Sequence, residues 1–366
     1  MKNQLNIKEI LFFKALLLFL YHIAFLFIYV EFFGQNDDGF LDYSKNLSYE
    51  FLLFKYSYLP AFIAKIIGEI SYNYYFQSFI FSIISFFGFY KLLVLIDQVR
   101  SNSKIYKLLG FFVLLDPTVH LWTSTISKEA IIFPLLIFLI SNILKEKKIL
   151  TIICISLISF VRIHIGIVFL SSLVIIKLFG KDKIMAIFLF SISVGFIALY
   201  PEFITNKLNM NVLECMPSQV ECIEEYIKKR NHGTFSGSLA SSDKEGYLTT
   251  LLNRNFLIAD QVGNFSIMVI IYAFIPQLLF LSFILRVKFF SSFLNSLTIR
   301  RRYLYSKEHF LILFGVLGSL IFNLVTANLG IILRQRYIFI TAIFIGITAF
   351  LYKRYRINDN ALQRNN

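Results

Sequence analysis

The sequence predicts an all-α, polytopic integral membrane protein, and three observations carry that prediction. Hydrophobic residues make up 57% of the 366 residues and charged residues only 16%, against about 25% charged in an ordinary soluble chain. Mean hydropathy is +0.69. The apolar residues also fall in runs long enough to cross a bilayer, which takes roughly 20 residues for about 30 Å of hydrocarbon. So little polar surface excludes a soluble enzyme, a DNA-binding module and a disordered chain.

The first run, residues 11–30, follows Lys2 and Lys8 and contains Lys14. It is longer than the apolar region of a signal peptide and has no small-residue cleavage site, so it reads as an uncleaved span. Further spans are predicted at 75–96, 108–122, 130–144, 149–161, 165–179, 184–200, 265–285, 310–327 and 337–352, about ten in all. Residues 51–70 contain Lys55, Pro60, Lys65 and Glu69 and read as an interfacial helix. No repeat or linker interrupts the chain, which predicts one polytopic domain over 1–366.

The net charge of +14 would suggest a nucleic-acid partner on a soluble chain. Here Lys and Arg gather in short loops at 98–107, 145–148, 180–183 and 286–307 and in the tail from Lys353. The positive-inside rule puts these loops and both termini in the cytoplasm. Arg300, Arg301 and Arg302 then act as a topology signal that touches anionic lipid heads, and no nucleic acid is expected. The opposite face receives residues 32–50, 116–129, 162–164, 201–264 and 328–336. Residues 201–264 form a long mid-chain loop carrying Cys215 and Cys222. These are either two ordinary thiols or a disulfide in an oxidising outer compartment. No histidine stands at zinc-site spacing, so no metal is expected.

Chemistry-bearing residues concentrate on that outer face. Asp37, Asp38 and Asp42 follow the first span; a helical second half would put Asp38 and Asp42 on one face. Carboxylates crowded together retain a proton more readily than an isolated one, which suits a general base. The turn 116–129 ends in Ser127-Lys128-Glu129. Ser127 has the character of an N-cap and Glu129 suits the helix dipole, whereas Lys128 opposes it. Ionisable groups at membrane depth cost on the order of 2.5–3.5 kcal/mol on insertion scales, so both invite a functional explanation. Arg162 and His164 stand at an apex with apolar neighbours, and an extended turn would point both side chains the same way. Arg334 and Arg336 precede the last span. With Lys128 and Arg162 they would form a cationic pocket suited to phosphate, which arginine grips bidentately. Trp122, Tyr43 and Tyr337 are either sugar-stacking or interfacial-belt residues.

Three stretches resemble the GT-C superfamily of polyprenyl-phosphate-sugar-dependent glycosyltransferases: Asp37-Asp38 after the first span, Trp122-Thr-Ser-Thr-Ile-Ser-Lys-Glu129, and Arg334-Gln-Arg-Tyr337. The Phe- and Ile-rich composition, the span number and the large outer loop are also similar to O-antigen and capsule polymerases of the Wzy type. The resemblance implies a bacterial inner-membrane glycosyltransferase of surface polysaccharide assembly, active on the extracytoplasmic side. Its partners would be a polyprenyl-linked oligosaccharide or sugar, membrane lipids and other polysaccharide-assembly proteins, with no cofactor. It further implies a base at Asp37 or Asp38 and leaving-group contacts at Arg334 and Arg336. Placement alone adds Asp42, Lys128, Glu129, Arg162 and His164. A repeat-unit polymerase is the leading expectation; a single-sugar transferase and a lipid-linked-glycan flippase are the alternatives.

Overall fold

The computed structural model describes residues 2–35, 39–54, 58–98, 110–111, 113–178, 307–325 and 337–350. Among these every regular element is helical. The helices are α1 (Lys2–Phe33), α2 (Phe40–Asn46), α3 (Tyr49–Phe54), α4 (Leu59–Gly68), α5 (Tyr74–Gln98), α6 (Pro117–Thr123), α7 (Lys128–Leu144), α8 (Lys148–Val161), α9 (Ile163–Leu178) and α10 (Lys307–Val325). A further helix, α11, covers Tyr337–Phe350. Asp37, Asp38, Cys215, Cys222, Arg334 and Arg336 lie outside the described residues, as does the predicted loop 201–264.

Two helices are long and apolar enough to cross a membrane, Glu9–Glu31 within α1 and Tyr74–Asp97 within α5. At 1.5 Å per residue they reach about 34 and 36 Å. The α6–α7 pair passes the same test as one unit and is bent by 120° at its break, giving up to three spans among the described residues. The ten predicted spans are therefore not all shown. Apolar side chains such as Phe12, Phe13 and Phe27 stand exposed along α1, as on a helix facing lipid.

The chain divides into two compact units, residues 1–166 with 344–366, and residues 167–343. In the first, α1 runs antiparallel to α5, with Lys14 Nζ 3.5 Å from Asp97 Oδ1 at one end. The helix α7 packs against α5 and α8, and α2 against α4. Small residues explain the close approach of α5 and α7. Ser78, Ser82, Ser85 and Gly88 repeat at helical spacing along α5, all buried, and such residues let backbones come near. A Cβ on Gly88 would lie 2.8 Å from Pro134 Cα and from the Phe133 ring. In the second unit, Phe169 meets Phe310 and Phe314 edge-on, and Phe314 meets Phe339.

Two expectations change. The predicted turn at 116–129 shrinks to four residues, 124–127, because Asp116 starts a helix there. Its carboxylate accepts from Thr118 N and Pro117 occupies the first turn, where a missing N–H costs nothing. The predicted span 108–122 is accordingly interrupted at Asp116, and its last residues belong to α6. In the stretch 51–70, expected as interfacial helix and not as a span, α3 ends at Phe54 and α4 covers Leu59–Gly68, and the two pack together.

Candidate functional site

The charged site sits where α7 begins. Ser127 caps α7, its hydroxyl accepting from Ala130 N at 3.1 Å and donating to Trp122 O at 2.7 Å. The cap fixes the direction in which the first two helical residues, Lys128 and Glu129, project. Glu129 is 2% exposed, and its Oε1 accepts a hydrogen bond from Arg162 Nη2. A carboxylate and a guanidinium taken out of water need such a partner. Arg162 reaches Glu129 because it is the single non-helical residue between α8 and α9. Its N donates to Ile158 O and its carbonyl accepts from Ile165 N, so two helices end on it.

That geometry replaces the extended apex expected for Arg162 and His164. His164 is the second residue of α9, half-buried, and a helical turn rather than a strand register relates it to Arg162.

Lys128 Nζ lies 5.7 Å from the centre of the buried Phe40 ring, a cation–π distance. Phe40 opens α2 and belongs to a buried apolar cluster with Leu52, Ala61, Tyr74, Phe81 and Ile126. The start of α7 and the segment following α1 are thus brought together. Asp42 sits in the first turn of α2, exposed, and has no ion pair or hydrogen bond among the described residues. Gly39 precedes α2 with a φ of +78°, which is left-handed and favours glycine; the expected register of Asp38 with Asp42 lies outside the described residues. Trp122 meets Tyr29 edge-on and Tyr43 meets Tyr58 edge-on. Tyr337 is buried in the second unit, with no face presented to a sugar.

A second polar group, which the sequence reading passed over, lies between α1, α5 and α6. His22 Nδ1 and His120 Nδ1 are 2.9 Å apart, His22 Nε2 is 2.8 Å from Ser85 Oγ, and His120 Nε2 is 2.9 Å from Leu114 O. Both histidines are fully buried. Ser85 Oγ lies 3.0 Å from Ser82 O, and Ser82 Oγ donates to Ser124 O in the α6–α7 turn. The signal available in the sequence was a histidine inside the first span, where ionisable residues are costly. On α5 near the charged end, Gln77 Nε2 donates to Ser71 O, while Gln77 Oε1 and Ser78 Oγ, both buried, have no hydrogen-bond partner among the described residues.

No group of three or more His, Cys, Asp or Glu side chains among the described residues is placed to hold a metal. Compared with protein-family models, curated proteins and solved structures, the chain matches none.

Proposed function

We propose that the chain is a membrane glycosyltransferase acting on polyprenyl-(di)phosphate-linked glycan at the outer face of a bacterial inner membrane, most simply as a repeat-unit polymerase. The observation that supports this most is the buried Glu129–Arg162 pair, with Lys128 on the same helical turn directed at the segment that follows α1. In this reading, Lys128 and Arg162 face the phosphate leaving group; the leaving-group contacts expected of Arg334 and Arg336 fall outside the described residues. The base comes from Asp37, Asp38 or Asp42, and Glu129 acts as a positioning residue that holds the Arg162 fork. Direct displacement needs one base and stabilised charge on the leaving group, and the lipid tail of the donor requires the bilayer. The roughly ten spans and cytoplasmic termini belong to the same proposal, on the strength of the positive loops.

The test is surface polysaccharide length in cells carrying Lys128→Ala or Arg334→Ala at normal membrane abundance. Loss of long chains, leaving single repeat units on the acceptor, is expected. Altered unit composition would indicate a single-sugar transferase, and normal long chains would remove these residues from the site. One observation favours a second reading, a lipid-linked-glycan flippase: the apolar α6–α7 pair is broken and bent by 120°, as in transporters that bind at interrupted helices. Movement of lipid-linked glycan across vesicles with no new glycosidic bond would select it.

A further inference from the structure

We propose that the His22–Ser85–His120 chain is a proton-binding site, built to take up one proton beyond its neutral complement. The row holds one hydrogen fewer than its contacts require, whatever reaction the chain performs. Five groups stand in a row: Leu114 O, the His120 ring, the His22 ring, the Ser85 hydroxyl and Ser82 O. Four contacts of 2.8–3.0 Å join them. Each contact needs one hydrogen, and the two carbonyls at the ends only accept. Two neutral imidazoles and one hydroxyl bring three.

The neutral arrangement follows from the ends. His120 Nε2–H donates to Leu114 O, which leaves His120 Nδ1 as acceptor. His22 Nδ1–H must then donate to it, so His22 Nε2 accepts from the Ser85 hydroxyl. Ser82 O is left without a hydrogen from Ser85. A proton arriving from water at His22 Nε2 reverses that last link: Nε2–H donates to Ser85 Oγ, and the Ser85 hydrogen turns to Ser82 O. All four links are then made and no covalent bond other than the new N–H is formed.

Burial opposes the added charge, and the surroundings offset it in two ways. The charge spreads over two rings through the N–H···N link. The rings also lie against aromatic faces, with Phe89 stacked on His120 at 3.9 Å and 11°, and Phe25 at 5.6 Å and 28°, as cation–π attraction requires. Of the titratable groups on the surrounding elements, Tyr21 of α1 touches His120 edge-on. Asp116 caps α6 through Thr118 N. Lys14 of α1 and Asp97 of α5 pair at the far end; Lys91, also of α5, lies over Phe138. On α7, Lys128 lies over Phe40 and Glu129 holds Arg162. Through Ser82 and Ser124 O the site is joined to the α6–α7 turn, so its charge acts on the segment leading to Lys128.

The experiment is nitrogen-15 magnetic resonance of the full chain, labelled at the histidine rings and held in lipid bilayer discs, over about pH 4–9, where histidine titrates. His22 and His120 are expected to change together in a single one-proton step, with scalar coupling across the N–H···N link. Ser85→Ala removes the outlet for the added hydrogen. It is expected to weaken proton affinity at least tenfold, about one pH unit, while the coupling between the rings persists. Two independent steps, rings that stay neutral throughout, or an unmoved step in Ser85→Ala would overturn the proposal. The unsubstituted chain decides the first two outcomes by itself.

Discussion

Two buried polar groupings of the first unit are neutralised by different means. At the start of α7 a full negative charge and a full positive charge meet, so Glu129 and Arg162 compensate each other directly. Between α1, α5 and α6 the groups are two imidazoles and a hydroxyl, held by sharing hydrogens along a row. The first arrangement depends on both partners remaining charged. The second depends on how many protons are present. The α7 site is therefore held by charge compensation and the histidine row by its hydrogen count.

Removing one member of the ion pair is the strongest way to break this contrast. Glu129→Ala leaves a guanidinium buried without its carboxylate, and a loss of about 3–5 kcal/mol is expected. Arg162→Ala should cost a similar amount, while the double variant should cost less than the sum of the two. Thermal unfolding in detergent measures all three. Additive losses would mean that the two side chains do not rely on each other.

A smaller effect tests the turn that lies between the two sites. Ser127→Ala removes the α7 cap and the bond to Trp122 O, with an expected loss of about 1 kcal/mol. It should disturb the Glu129–Arg162 pair more than the histidine row, because the cap sets the first turn of α7. Ring nitrogen signals of His22 and His120 that move more than the Arg162 side-chain signals would reverse that ranking.

The smallest effect concerns an exposed pair, where solvent does the work that partners do in the interior. The Tyr49 hydroxyl donates to Glu69, and this bond pushes the phenol up from 10.0 to about 12. A raised folded-state value means that the bond's contribution is complete below pH 10 and is lost as pH rises through about 12. Ultraviolet titration should show a late-ionising tyrosine component that Glu69→Gln moves to lower pH. A tyrosine spectrum unchanged by Glu69→Gln would show that the bond does not hold in solution.

Much of this was legible along the chain because it depends on local chemistry. Apolar run lengths located the membrane-crossing stretch within α1, and α5 and α7, to within a few residues, and Ser127 declared itself as a cap through its type and its place before an apolar run. Lys128, Glu129 and Arg162 stood out because charges beside apolar runs are conspicuous. Asp116 was less legible: its capping of Thr118 competes with the apolar pattern of 108–122, and capping prevailed.

Composition and local pattern suffice for a helical, apolar chain with few charges, and for which of those charges are exceptional. That Glu129 meets Arg162, 33 positions further along the chain, and that His22, Ser85 and His120 form one row, are matters of tertiary packing. Periodicity and capping act within a turn or two of helix, so they fix elements. Pairing of side chains from different helices depends on how closely backbones approach and in which register, which at α5 and α7 is set by the fit of Gly88 against Phe133 and Pro134.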